Sequence, residues 1–197
     1  MSTLLDQGSR RVGPSRRGFT IAEVVTTLSL VGVMTSIAAP RINLTKFRLN
    51  SALHETASVV TASKSKAILR QHDVILVFDG TKSELRILMD ENNNAAADDG
   101  EDFRTVQLND GVRFGRGEAP ALPGGPAAIT FAKQFGTLPS LTFRRNGSAS
   151  EEGVIYLTSQ RAEMGGFLED ARAITVDRST GQVRCLSYAQ LEWKRGC

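Results

Sequence analysis

Histidine and cysteine are scarce in this chain, with two of each in 197 residues. His54 and His72 stand alone, with no Cys/His cluster and no ligand spacing, which excludes a structural zinc site. No Gly-x-Ser-x-Gly elbow occurs, so a hydrolase nucleophile of that kind is absent. No glycine-rich phosphate loop follows a strand signal. The carboxylates gather in one polar stretch instead of flanking an apolar cleft, which leaves no evident acid–base pair. These absences point away from an enzyme. The two cysteines, Cys185 and Cys197, sit near the C-terminus. One reading is a disulfide that closes a short terminal loop, as an even count allows in an exported chain. The other is two separate thiols, since sequence alone gives no Cα separation.

A surplus of one charge is missing too. The formal charge is +3, and residues 1–18 account for all of it, with Arg10, Arg11, Arg16 and Arg17 against Asp6. A chain cut after Gly18 would be close to neutral. Its basic pI is therefore no argument for nucleic-acid binding by the whole molecule. The basic leader does place residues 1–18 on the cytoplasmic side of a membrane.

What the chain has is one long apolar stretch, residues 19–39, interrupted by a single carboxylate, Glu23. About 20 apolar residues span a bilayer as a helix. A charge inside such a span is expensive and marks function. The order is basic leader, Gly18, Phe19, then Glu23 four residues later. It resembles the processing site of type IV prepilins and type II secretion pseudopilins. That resemblance implies cleavage between Gly18 and Phe19 by prepilin peptidase and methylation of the new Phe19 amine. It also implies an assembly role for Glu23, paired with the N-terminal amine of an adjacent subunit. The plainer reading of Glu23 is a tolerated polar residue near a helix end. Two other readings of this segment exist. Ser15-Arg16-Arg17-Gly18-Phe19 is similar to a twin-arginine export signal, with small-residue cleavage sites near Ala38 and Ala39. A plain single-span anchor is the other. The length of the apolar stretch, the presence of Glu23 and the helical pattern beyond Pro40 weigh against the export signal, and Glu23 weighs against the plain anchor too.

That pattern continues at Ile42, Leu49, Leu53, Val60 and Ala67, with Ala52, Ala57 and Ser63 beside them: one apolar face on a polar helix. The spacing predicts one helix from residue 19 to about 70, roughly 75 Å long at about 1.5 Å per residue. Pro40 should kink it near the membrane exit. From residue 74 the signal changes to strands. Residues 74–78 and 85–89 form a hairpin turned at Asp79-Gly80. Weaker strands follow at 105–108 and 112–114. Residues 115–125, with Pro120, Pro123 and four glycines, form a loop. Residues 141–144 are expected to pair with 154–157 through Asn146-Gly147. Residues 173–176 and 183–186 form a last hairpin turned at Thr180-Gly181. The fold class is α+β and type IV pilin-like, one long N-terminal helix with its first half transmembrane, packed on a mainly antiparallel β domain. The expected divisions are leader 1–18, transmembrane half 19–39, periplasmic half of the helix 40–72 and β domain 73–197.

The order Leu141-Thr142-Phe143, Asn146-Gly147-Ser148, Gly153-Val154-Ile155, Ile174-Thr175-Val176 and Thr180-Gly181-Gln182-Val183 resembles the shared core of the GspH/FimT group of minor pseudopilins and minor pilins. The resemblance implies a minor pseudopilin of a type II secretion system. Such a subunit sits in the inner membrane with its β domain in the periplasm. Its partners are other pseudopilins through the N-terminal helix, the prepilin peptidase and the inner-membrane assembly platform. The alternative is a FimT-like minor pilin of a type IV pilus, aiding assembly, adhesion or DNA uptake. DNA-binding members carry arginine where this chain has Gln182; Arg184 is kept. The tail from 171 to 197 adds Arg172, Arg178, Lys194 and Arg195 against Asp177 and Glu192. That excess would touch phosphates only weakly, and a solvated β edge is the preferred reading. Asp90, Asn92, Asn94, Asp98 and Glu101 occupy positions 1, 3, 5, 9 and 12 of an EF-hand-like calcium loop. Ala95 stands where glycine is usual, and strands flank the loop instead of helices. The preferred reading is a solvated acidic turn with no cofactor, and calcium is the alternative.

Overall fold

The computed structural model describes residues 18–38, 44–96, 98 and 101–196, the side chains of 36–38 excepted. The leader arginines, the expected kink at Pro40, Ile42 and Cys197 lie outside the described residues. The chain divides into two units, residues 1–42 and 43–197.

The first unit contains one described helix, α1 (Ile21–Ala38). Among the described residues no helix is long and apolar enough to cross a membrane. The expected span, 19–39, ends beyond them. The hydroxyls of Thr26, Thr27, Ser29 and Thr35 each donate to a backbone carbonyl within one turn, at 2.7–2.9 Å. These polar side chains are thus satisfied inside the helix.

The second unit opens with α2 (Leu44–Arg70). Its buried residues are Leu49, Ala52, Leu53, Thr56, Ala57, Val60, Ser63 and Ala67. Every residue of the periodic face that is described is therefore inside. Two antiparallel five-stranded sheets follow. The first has β1 (Asp73–Asp79), β2 (Glu84–Asp90), β3 (Phe103–Gln107), β5 (Gln134–Phe135) and β6 (Leu138–Phe143), in the order β3-β2-β1-β6-β5. The second has β4 (Val112–Phe114), β7 (Gly153–Ser159), β8 (Arg172–Val176), β9 (Val183–Ala189) and β10 (Glu192–Arg195), in the order β10-β9-β8-β7-β4. A short helix, α3 (Gln160–Glu163), and a 3-10 turn (Leu168–Asp170) connect β7 to β8. The unit is α+β, a helix packed on antiparallel sheets.

One core joins α2 to both sheets: Leu49, Leu53 and Val60 from the helix, Val74, Leu76 and Phe78 from β1, and Ile155, Ile174 and Cys185 from the second sheet. Alternation along β1 sends Ile75 and Val77 to the far face, where Phe135 and Leu138 cover them. On the far face of the second sheet Tyr156, Trp193 and Leu122 pack together. Two hydrogen bonds fix the proline-glycine loop there, Trp193 Nε1–H to the Pro120 carbonyl at 2.9 Å and the Leu122 amide to the Tyr156 hydroxyl at 2.7 Å.

The expected hairpin of β1 and β2 forms, with Val74 opposite Met89 and Asp79 still paired, to Glu84, so the turn begins at Gly80. The hairpin of β8 and β9 forms too, Val176 opposite Val183. The expected pairing of 141–144 with 154–157 does not form. Beyond the turn at Asn146-Gly147 the two sides meet over a short stretch, Phe143 bridging to Ala149 and the Ser150 amide donating to the Thr142 carbonyl at 2.8 Å. The chain then crosses to the other sheet, where Ile155 pairs with Ile174 on β8. Gly153 permits the crossing: a Cβ there would lie 2.6 Å from the Phe131 ring. The pattern missed β10, because its turn residues Gln190 and Leu191 (φ 54° and 63°) are not the Asn or Gly that such a turn favours.

Candidate functional site

Gly18 and Phe19 precede α1 and are exposed. Helix starts leave amide groups without partners, and Thr20 answers this with a reciprocal cap. The Glu23 amide donates to Thr20 Oγ1 at 3.2 Å, and the Thr20 amide and hydroxyl donate to Glu23 Oε2 at 3.0 and 3.1 Å. This is a capping box with Glu23 in the third helical position. The expected processing residues and the expected assembly carboxylate thus share one helix start. Gly18 and Phe19 are exposed to solvent, and Glu23 is hydrogen-bonded within its own chain.

The acidic loop ties its five expected ligands into a chain of local hydrogen bonds without gathering their carboxylates at one point. Asp90 accepts the amides of Asn94 and Ala95 at 2.9 and 2.7 Å. The side-chain amides of Asn92 and Asn94 both donate to Asp98 Oδ2 at 2.6 Å. Glu101 accepts the amides of Glu91 and Asp98, each at 3.1 Å. Ala95 takes φ 61°, the left-handed turn usually left to glycine. The loop thus satisfies its oxygens with N–H donors. Among the described residues no group of three or more His, Cys, Asp or Glu is gathered to hold a metal ion.

The tail cations do not form one surface. Arg172 is buried, donating to Asn50 Oδ1 at 3.0 Å and to the carbonyls of Glu169 and Ala171. Arg184 donates to Gln182 Oε1 at 2.8 Å. Lys194 is hydrogen-bonded to Gln190. Cys185 is disulfide-bonded, and its expected partner, Cys197, lies outside the described residues. The Gly196 amide donates to the Cys185 carbonyl at 3.2 Å, which carries the C-terminus back to β9.

Sequence reasoning missed a buried network at the N-terminal end of α2. Asp170 is 1% exposed and accepts Ser159 Oγ at 2.6 Å and the Arg161 guanidinium at 2.6 and 3.0 Å. Burial works against its charge. The hydrogen bonds from Arg161 and Ser159, with the nearby Arg161 and Arg172 charges, outweigh that and hold its carboxyl below the ordinary value. No local pattern in the sequence joins residues 159, 161 and 170.

Pilin-like protein PilA1 of Thermus thermophilus is 31% identical over 98 residues, 49% of this chain and 63% of that protein. The chain resembles pilin-like proteins. The match spans less than two thirds of that relative's length. A solved structure of the minor pseudopilin EpsH, from the type II secretion system of Vibrio cholerae, aligns with a TM-score of 0.49 and 16% identity, covering 74% of this chain and 97% of that one. The type IV minor pilin FimU of Pseudomonas aeruginosa PAO1 aligns with a TM-score of 0.46 and 14% identity, covering 74% and 92%. No family model matches the chain. All three are pilins or pseudopilins by description, and none is described as an enzyme.

Proposed function

We propose that this chain is a minor subunit of a pilin-class filament of the cell envelope. Prepilin peptidase cuts it between Gly18 and Phe19 and methylates Phe19. Residues 19–39 anchor it in the inner membrane, and the domain of residues 43–197 lies in the periplasm. Glu23 then leaves its capping box to pair with the amine of an adjacent subunit, and an assembly platform in the inner membrane draws the subunit into the filament. The observation that carries this reading is the helix start at Gly18, Phe19, Thr20 and Glu23, followed by a helix whose hydroxyls are satisfied internally. N-terminal mass spectrometry of the mature protein tests it. A chain beginning with methylated Phe19 is expected, and an N-terminus at or beside Ala39 would overturn it.

The machine we assign is a type II secretion pseudopilus, in which the chain assists assembly near the tip. A type IV pilus is the second reading, favoured by the 31% identity to a protein described as pilin-like. Deleting the gene separates the two. Loss of exported proteins from the medium supports the first, and loss of surface pili with intact secretion supports the second.

A further inference from the structure

Arg172 opens β8 and is only 6% exposed, yet it forms no ion pair among the described residues. A guanidinium carries five N–H groups. Three are used here, one on Asn50 Oδ1 at 3.0 Å and two on the carbonyls of Glu169 and Ala171 at 2.7 and 2.9 Å. Those acceptors are neutral, so they satisfy hydrogen bonds and leave the charge. The two N–H groups of Nη2 have no partner among the described residues. The neighbouring carboxylates are engaged elsewhere, Glu169 with Lys46 at 3.0 Å and Asp170 with Arg161 and Ser159, each at 2.6 Å. Burial pulls the Arg172 guanidinium below its ordinary pKa, and the charges of Asp170 and Glu169 offset that only in part. A buried charge without a counter-ion in contact is costly and calls for a reason.

Arg172 borders a cavity of about 250 Å³, lined also by Asn50, Leu53, His54, Ser187 and Gly196. Regular structure builds it. Asn50, Leu53 and His54 are spaced i, i+3, i+4 along α2 and so share one face. Ser187 stands opposite Arg172 in the register of β8 and β9. No carboxylate lines the cavity. Its side chains are rich in donors: Arg172 Nη2, the Asn50 amide nitrogen, a His54 ring nitrogen and the Ser187 hydroxyl. The Asn50 side-chain oxygen is already taken by Arg172 Nε–H. We infer that this cavity is a carboxylate-binding site, with Arg172 Nη2 as its charged donor and Asn50, His54 and Ser187 as further donors around it. A carboxylate brings one negative charge to one buried cation, and its two oxygens accept several N–H and O–H groups at once. A phosphate dianion would bring a second charge that no second buried cation in the cavity meets. The carboxylate comes either on a small acid or on an aspartate or glutamate side chain of another protein, and both present the same group. Bound there, it ties α2 to the hairpin of β8 and β9. The inference does not rest on the filament reading.

Nuclear magnetic resonance of the full chain in nonionic-detergent micelles, with the arginine side-chain nitrogens labelled, tests this. Arg172→Lys identifies the Arg172 Nε–H signal by its loss. Sodium propionate at constant ionic strength should move that signal and leave those of Arg184 and Arg195 in place. Propionate should bind at least about tenfold more tightly than propionamide, which has the same shape without the charge. Ser187→Leu fills the cavity and removes no Arg172 hydrogen bond. It should weaken propionate binding at least about tenfold, with the Arg172 signal of the free chain unchanged as proof of folding. A short peptide with blocked ends and one central glutamate identifies the source. Binding as tight as propionate or tighter supports the site as one for an acidic side chain of a protein; weaker binding supports it as one for small acids. Equal affinity for propionate and propionamide overturns the inference, as does tighter binding of inorganic phosphate. Undiminished binding in the folded Ser187→Leu chain, or equal shifts at Arg172, Arg184 and Arg195, overturns it too. The filament reading stands in each of these cases.

Discussion

Single residues decide this protein's two most specific features. Glu23 accepts hydrogen bonds from the Thr20 amide and hydroxyl, so its carboxylate is occupied within its own chain. Glu23→Ala removes a charge from an apolar segment and should leave membrane insertion intact. It should also lower incorporation into filaments, measured as the sheared-filament fraction against total protein. Incorporation at the wild-type level would sink the pairing role. Asp170 is the buried counterpart. Because its folded-state carboxyl lies below the ordinary value, its stabilisation is full above an unfolded pKa of about 3.9 and is lost as pH falls through the lower folded value. Asp170→Asn should cost about 2 kcal/mol, since it leaves Arg161 and Ser159 without their anion and Arg161 is only partly exposed. Urea denaturation of residues 43–197 at pH 7 reads that cost, and the gap between variant and wild type should narrow in acid.

Turns and loops set which elements pair. The turn between β8 and β9 is built on Asp177, whose carboxylate accepts from the Thr180 hydroxyl and amide and from the Ser179 hydroxyl. Those bonds, the Thr180 hydroxyl first, lower its carboxyl to about 2. Gly181 completes the turn at φ 59°, and a Cβ there would stand 2.3 Å from the Gly147 carbonyl. Gly181→Ala should therefore destabilise by at least about 2 kcal/mol in thermal or urea unfolding, from backbone strain and a clash that no side chain can relieve. The loop between β2 and β3 carries calcium-like spacing but spends its oxygens on its own N–H groups. Millimolar Ca²⁺ should therefore raise the Tm of residues 43–197 by less than about 1 °C. A larger rise, abolished by Asp90→Asn and Glu101→Gln, would establish a cation site instead.

At the scale of the whole molecule, charge is dispersed. The arginines and lysines that cluster in the tail sequence are distributed by the fold: Arg172 into the interior, Arg178 to the β8–β9 turn, Lys194 and Arg195 to the edge strand β10. A duplex-DNA gel shift of residues 43–197 at low salt should show no retarded species at tens of micromolar protein, since a few separated phosphate contacts give little affinity (about one released counterion each). A shift lost in Arg184→Ala with Lys194→Ala would move the assignment toward DNA uptake.

The sequence by itself determined the elements whose signals are local. The face of α2 was legible because burial against one neighbour repeats every three or four residues. The hairpins β1–β2 and β8–β9 were legible because alternation and turn residues agree. The motif at residues 18–23 was legible because its residues are contiguous and its cap is made within one helical turn. Only the tertiary structure decided the rest. Two strands adjacent in sequence, β6 and β7, went to different sheets, where Phe131 packs so close to Gly153 that no Cβ fits, and no local pattern encodes that contact. The Ser159, Arg161 and Asp170 network and the packing of Trp193 on Tyr156 depend on residues brought together by packing. Their partners are distant in the chain, and periodicity carries no information about distant partners.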